Sequence, residues 1–121
     1  PVDLKTVGLR KPAERSEIAR CRKILASHPE PLTEDSRSRQ SYLLARLKQG
    51  TIFTFCEVVR DLFAYGEHKS LYGTIAGFYR VTKDVLCQEW AMVEGITPSE
   101  AVQEIDALLE KSRETLRTVK A

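Results

Sequence analysis

The stretch TIFTFCEVVRDLFAY, residues 51–65, decides the fold class. Its first nine residues, TIFTFCEVV, are rich in β-branched and aromatic side chains, a composition that suits a strand. Helical spacing nevertheless continues through RDLF: Ile52, Phe55, Cys56, Val59, Leu62 and Phe63 form one stripe, which Phe53 and Val58 extend. This predicts an α-helix over about 52–65, apolar enough to be the central core helix. Glu57, Arg60 and Asp61 lie together on one side of it. They read as ion pairs that orient packing, with Glu57 reaching Arg60 and Asp61 reaching bases on another helix, and not as catalytic carboxylates.

Working outward, Ile18, Cys21, Ile24 and Leu25 have helical spacing between Glu14 and about Ser27, where the two prolines of HPEPL stop the run. A second helix follows, capped by Thr33 or Ser36, with Leu43, Leu44 and Leu47 facing inward and Gly50 placed to close it. Beyond the central helix, a fourth covers about Thr74 to Glu94, with Phe78, Val81, Val85, Leu86, Trp90 and Val93 on its inner side. The last helix has the clearest start: in TPSEA, Thr97 is the cap, Pro98 the first helical residue, and Glu100 can bond back to the cap N–H. Ala101, Ile105, Leu108 and Leu109 then face the core, and the end frays. Val2, Leu4, Val7 and Leu9 form a short extended lead-in ended by Pro12. The expected architecture is an all-α bundle of about five helices behind a short N-terminal strand.

A chain of 121 residues holds one domain with a sufficient core. No run approaches the roughly 18 apolar residues of a membrane span, and PVDLKTVGLRKP has neither the basic cap nor the apolar centre of a signal peptide. The expected location is the cytoplasm. The first segment lacks Met and reads as cut from something longer. Cys21, Cys56 and Cys87 are odd in number, far apart and set in apolar helical patterns, so they read as reduced core residues. With His28 and His68 isolated from them, no metal site is expected, nor any cofactor. Nucleotide, protease and hydrolase motifs are absent, and no catalytic residue can be named.

Charge divides unevenly along the chain. Residues 1–50 hold 11 Lys and Arg against 6 Asp and Glu, a net of +5, whereas residues 51–121 hold 8 against 11, a net of −3. That asymmetry suits an anionic partner met by the N-terminal half. Arg37 and Arg39 are placed oddly, in the first turn of the second helix, where the helix end already carries partial positive charge. Backbone N–H groups and two guanidinium forks converging there make a phosphate site. Equally, Glu34 and Asp35 stand immediately before them and can pair with them. Trp90 reads as core, and the Tyr65–Tyr72 region as a polar loop with aromatic anchors.

At LKQGTIFTFCEVVRDLF the chain resembles the C-terminal helical domain of the CarD/CdnL family of bacterial transcription regulators. LKQG followed by EVVRDL is similar to the family's central helix, GITPSEAVQEIDALL to its last helix, and VGLR at 7–10 to the end of its N-terminal domain. The resemblance implies a non-enzymatic module. A Tudor-like N-terminal domain would bind the RNA polymerase β subunit, and this helical domain would contact promoter DNA, backbone and minor groove, at the upstream edge of the transcription bubble, stabilising the open complex. Residues 1–11 would be the remnant of the first domain and 12–121 the helical domain. Polymerase binding by this chain should then be weak or absent, and the unpaired strand could join two copies.

In the family a tryptophan wedge opens the second helix and arginines follow. Counting back from Gly50, the wedge position falls on Ser36 and the family's arginine on Arg39. A serine offers only a cap or a phosphate hydrogen bond where the aromatic would insert between bases. In TIAGFYRVTK only Lys83 matches a basic position. The resemblance thus implies a DNA-facing set of Ser36, Arg37, Arg39, Arg46, Lys48 and Lys83. The alternative is a protein-interaction module that has lost wedging. Under the DNA alternative Arg37 and Arg39 project together into solvent; under the other, Glu34 and Asp35 neutralise them.

Overall fold

The computed structural model of the chain describes residues 8–68 and 73–120. They form five helices: α1 (Arg15–Ala26), α2 (Ser36–Lys48), α3 (Ile52–His68), α4 (Gly73–Glu94) and α5 (Pro98–Lys120). No strand occurs among the described residues. The extended segment expected over residues 1–10 lies mostly outside them, as does Tyr72.

α3 is the axis of the bundle. Ile52, Phe55, Cys56, Val58, Val59 and Leu62 are all buried, and α1, α2, α4 and α5 all pack on it. Phe53 and Phe63, at the margins of the stripe, are covered by the guanidinium groups of Arg20 and Arg113, 4.4 and 5.3 Å from the ring centroids. The three cysteines are buried and free, as their apolar settings predict. Burial pushes the Cys56 thiol well above its ordinary range and the Cys87 thiol up to about 11, so both are inert.

On α4, Phe78, Leu86 and Trp90 are fully buried, but Val81, Val85 and Val93 are only half-buried, and Ile75, Thr82, Cys87 and Ala91 complete the inner face. α5 begins as its sequence predicts, with Thr97 N–H donating to Glu100 Oε1 (2.9 Å) and Glu100 N–H donating to Thr97 Oγ1 (3.1 Å). α4 ends at Gly95, whose φ of +67° lets Ile96 N–H reach back to the Ala91 carbonyl.

Two charged networks each draw three helices together. In the first, Trp90 Nε1 donates to Glu104 Oε1 (2.8 Å), and Arg22 donates to Glu104 Oε2 (2.7 Å) and Glu94 Oε1 (2.8 Å), linking α1, α4 and α5. The second is the buried pair of α3, in which Arg60 Nε donates to Asp61 Oδ1 at 2.9 Å. Arg60 Nη1 also reaches Ser27 Oγ (2.9 Å), and Asp61 Oδ1 takes the Glu30 N–H (2.9 Å). Ser112 Oγ of α5 donates to the Ser27 carbonyl at 2.6 Å. The end of α1 and the loop after it are therefore held by α3 and α5 together.

Two sequence expectations are corrected here. Asp61 meets its neighbour Arg60 and a loop N–H, not a base on another helix. Glu57 pairs with Arg46 of α2 and not with Arg60, because its side chain faces α2 across the helix interface.

Burial pushes the Asp61 carboxyl above the usual carboxylate range despite Arg60. The pair therefore positions the loop more than it stabilises the fold, but breaking it strands a charge in the interior. Arg60→Ala is expected to cost about 3 kcal/mol in urea unfolding, and Arg60→Met with Asp61→Leu appreciably less than the sum of the two single truncations.

Glu104 behaves oppositely. Its hydrogen bond from Arg22 holds the carboxyl below its ordinary range. The folded state thus favours ionised Glu104, a contribution present above the unfolded pKa and lost as pH falls through the folded one. The stability difference between wild type and Glu104→Gln, read as urea midpoints, should shrink steadily as the pH falls below about 4.5.

Candidate nucleic-acid interface

α2 carries two exposed basic side chains, Arg37 and Lys48, against three on α1, Arg15, Arg20 and Lys23, and it packs chiefly on α3. Neither Thr33 nor Ser36 caps it. Asp35 does, accepting the Ser38 N–H at 2.9 Å, because its shorter reach to the first free amide comes with a full negative charge at the positive helix end. That hydrogen bond, with a smaller contribution from the charge of Arg39, holds the Asp35 carboxyl below its usual range.

The two arginines of the first turn part company. Arg37 is exposed and has no partner among the described residues. Arg39 turns back: its Nη1 donates to the carbonyls of Thr33 (3.1 Å) and Glu34 (3.2 Å), and its guanidinium lies 5.1 Å from the Tyr65 ring centroid on α3. It fastens the loop before α2 to the body of the bundle. Arg46 is likewise turned inward, onto Glu57. Ser36 is exposed at the first helical position, and Lys48 is exposed in the last turn.

Helical geometry explains the division. At about 100° per residue, Arg37 and Lys48 fall within about 20° of each other around α2, while Arg39 and Arg46 form a second pair on roughly the opposite side. One pair flanks the α3 contact and is consumed by it. The other stays in water, its members about 16 Å apart along the axis, with Ser41 exposed between them.

Lys83 stands apart from this group on α4. It donates to Asp106 of α5 at 2.6 Å and lies 5.5 Å from the Tyr79 ring centroid. The hydrogen bond to Asp106 and the contact with Tyr79 raise its pKa despite burial, so it stays charged but carries its own counter-ion.

Arg10 is a cation that sequence reasoning missed. Its N–H donates to the Gly50 carbonyl (2.9 Å), and its side chain lies across Gly50, where a Cβ would stand 2.3 Å from Arg10 Cγ. Gly50 has a φ of +67° and ends α2 as predicted; the absence of a side chain also admits Arg10 beside it. An exposed cation is thereby brought two residues from Lys48. The only signal in the sequence was the glycine, which was fully explained by its role in ending the helix.

No group of three or more His, Cys, Asp or Glu among the described residues could hold a metal ion. Among them, no helix is long and apolar enough to cross a membrane.

The chain matches the family CarD, C-terminal domain, over residues 20–106, from the middle of α1 to the middle of α5. It belongs to that family and is a CarD-like, transcription-related helical domain. No curated protein matches it. Within the matched region, EVVRDL acquires a physical meaning: Glu57 holds α2 through Arg46, while Arg60 and Asp61 hold the loop that leads into α2.

If Arg39 is a fastener, its fork geometry matters more than its charge. Arg39→Lys should lower the thermal midpoint by a few degrees, corresponding to about 1 kcal/mol for lost carbonyl bonds and stacking, while leaving the salt dependence of any DNA binding unchanged.

Proposed function

We propose that this domain contacts promoter DNA near the upstream edge of the transcription bubble, as part of a cytoplasmic CarD-like regulator that stabilises the RNA polymerase open complex. Residues 1–11 would be the end of a preceding domain that binds the polymerase β subunit, and 12–121 the DNA-contacting unit. The observation that carries this reading is the set of exposed cations along α2 with no acidic partner among the described residues: Arg37 at its start, Lys48 at its end and Arg10 beside Gly50. A set of this kind suits the phosphate backbone, which gives affinity without sequence preference. Ser36 adds a hydroxyl next to the helix N-terminus, where an anion is favoured. Arg39 contributes by fixing the loop and the start of α2. Arg46 and Lys83 bring carboxylates with them, so each adds little net charge toward a phosphate.

The alternative, a helical protein-interaction module that has lost wedging, draws support from Ser36 at the wedge position and from Arg39 lying against the bundle rather than beside Arg37 in solvent. Fluorescence anisotropy on a fork-junction DNA and a matched duplex, across salt concentrations, separates the two. Arg37→Ala, Lys48→Ala and Arg10→Ala should each weaken binding to both DNAs and reduce the slope of log K against log salt by roughly one, whereas Arg46→Ala should leave the slope unchanged. Ser36→Trp should gain on the fork alone. An equal loss of slope in Arg46→Ala contradicts the assignment of residues, and no binding by wild type even at low salt leaves the protein-interaction reading standing.

A further inference from the structure

Behind the loop that joins α1 to α2 lies a cleft of about 430 Å³, bounded also by the C-terminal half of α3 and by α5. Its walls are largely apolar, with Pro29, Pro31, Leu32, Ala64, Tyr65 and Leu116 contributing. Volume and lining are those of a small-molecule site. His28, Glu30, Glu34 and Asp61 interrupt the apolar wall, and of these Asp61 is the buried one, only 4% exposed.

Both hydrogen bonds that Asp61 accepts, from Arg60 Nε and from the Glu30 N–H, end on Oδ1. Among the described residues Oδ2 has none, and Asp61 makes no further interaction. Oδ2 is not sealed from solvent, and it is the carboxylate oxygen left to accept from a group in the cleft. Among the described residues no Lys or Arg lines the cleft, while Glu30 and Glu34 line it with Asp61, so the carboxylates outnumber the cations there. Burial pushes the Asp61 carboxyl above its ordinary range despite the hydrogen bonds from Arg60 and the Glu30 amide.

We infer that this cleft binds a small organic amine: an apolar body of about the size of one ring among Leu32, Ala64 and Leu116, with its ammonium donating to Asp61 Oδ2. A neutral molecule of the same shape fills the apolar part without satisfying the carboxylate, and an anion is repelled by it.

Benzylamine, benzyl alcohol and benzoate, titrated separately into the isotope-labelled chain, test this by NMR. Benzylamine should give saturable shifts at the methyl groups of Leu32, Ala64 and Leu116, with benzyl alcohol at least tenfold weaker and benzoate silent. Asp61→Asn should weaken benzylamine at least tenfold. Because that change also deprives Arg60 of its counter-ion, Ala64→Leu serves as a second variant: it fills the cleft, leaves the Arg60–Asp61 pair intact and should abolish the shifts. Equal binding of the three probes, benzylamine shifts that persist in Ala64→Leu, or no saturable shift at these methyls in wild type would each overturn the proposal.

Discussion

The buried contact between Arg60 and Asp61 is the constraint on which the presentation of α2 depends. Removing two charges from water is unfavourable, and the upward displacement of the Asp61 carboxyl shows that Arg60 does not fully compensate for it. What the pair provides is direction. Arg60 reaches Ser27 at the end of α1, Asp61 takes the Glu30 amide, and Ser112 closes on the Ser27 carbonyl from α5. A segment containing Pro29 and Pro31 can offer few backbone hydrogen bonds of its own, so its course is set from outside by side chains of α3 and α5. The loop in turn sets where α2 begins.

From that start, α2 distributes its basic residues by helical phase. The side that meets α3 uses Arg39 and Arg46 as packing groups, one against backbone carbonyls and an aromatic face, the other against Glu57. The far side leaves Arg37 and Lys48 in solvent. Long cationic side chains serve both purposes well, since their stems pack while their heads seek either an acceptor or water. A basic helix can therefore carry fewer available charges than its composition suggests, and here the difference is two of the four candidate Lys and Arg residues.

The bundle, the cleft and the basic row meet in the same region. Tyr65 lines the cleft with one part of its surface and supports Arg39 with its ring. Asp61 both lines the cleft and anchors the loop. The EVVRDL segment thus serves the interior through its apolar residues and the approach to α2 through its charged ones.

Sequence alone determined the helices and the core. The three- and four-residue spacing in TIFTFCEVVRDLF, the capping box at Thr97 and Glu100, the stop at Gly50 and the burial of Trp90 and the three cysteines all follow from local chemistry or periodicity, and each is found in the structure. The resemblance seen at EVVRDL likewise agrees with membership of the CarD C-terminal domain family. Partnerships across the bundle were not legible. That Glu57 would choose Arg46, that Asp61 would hold an amide of the loop, that Lys83 would meet Asp106, and that Arg10 would lie across Gly50 depend on which surfaces the helices turn toward one another. Local periodicity fixes which face of a helix is apolar. It does not fix which neighbour covers the flanks of that face, and on those flanks the charged side chains find their partners or remain in water.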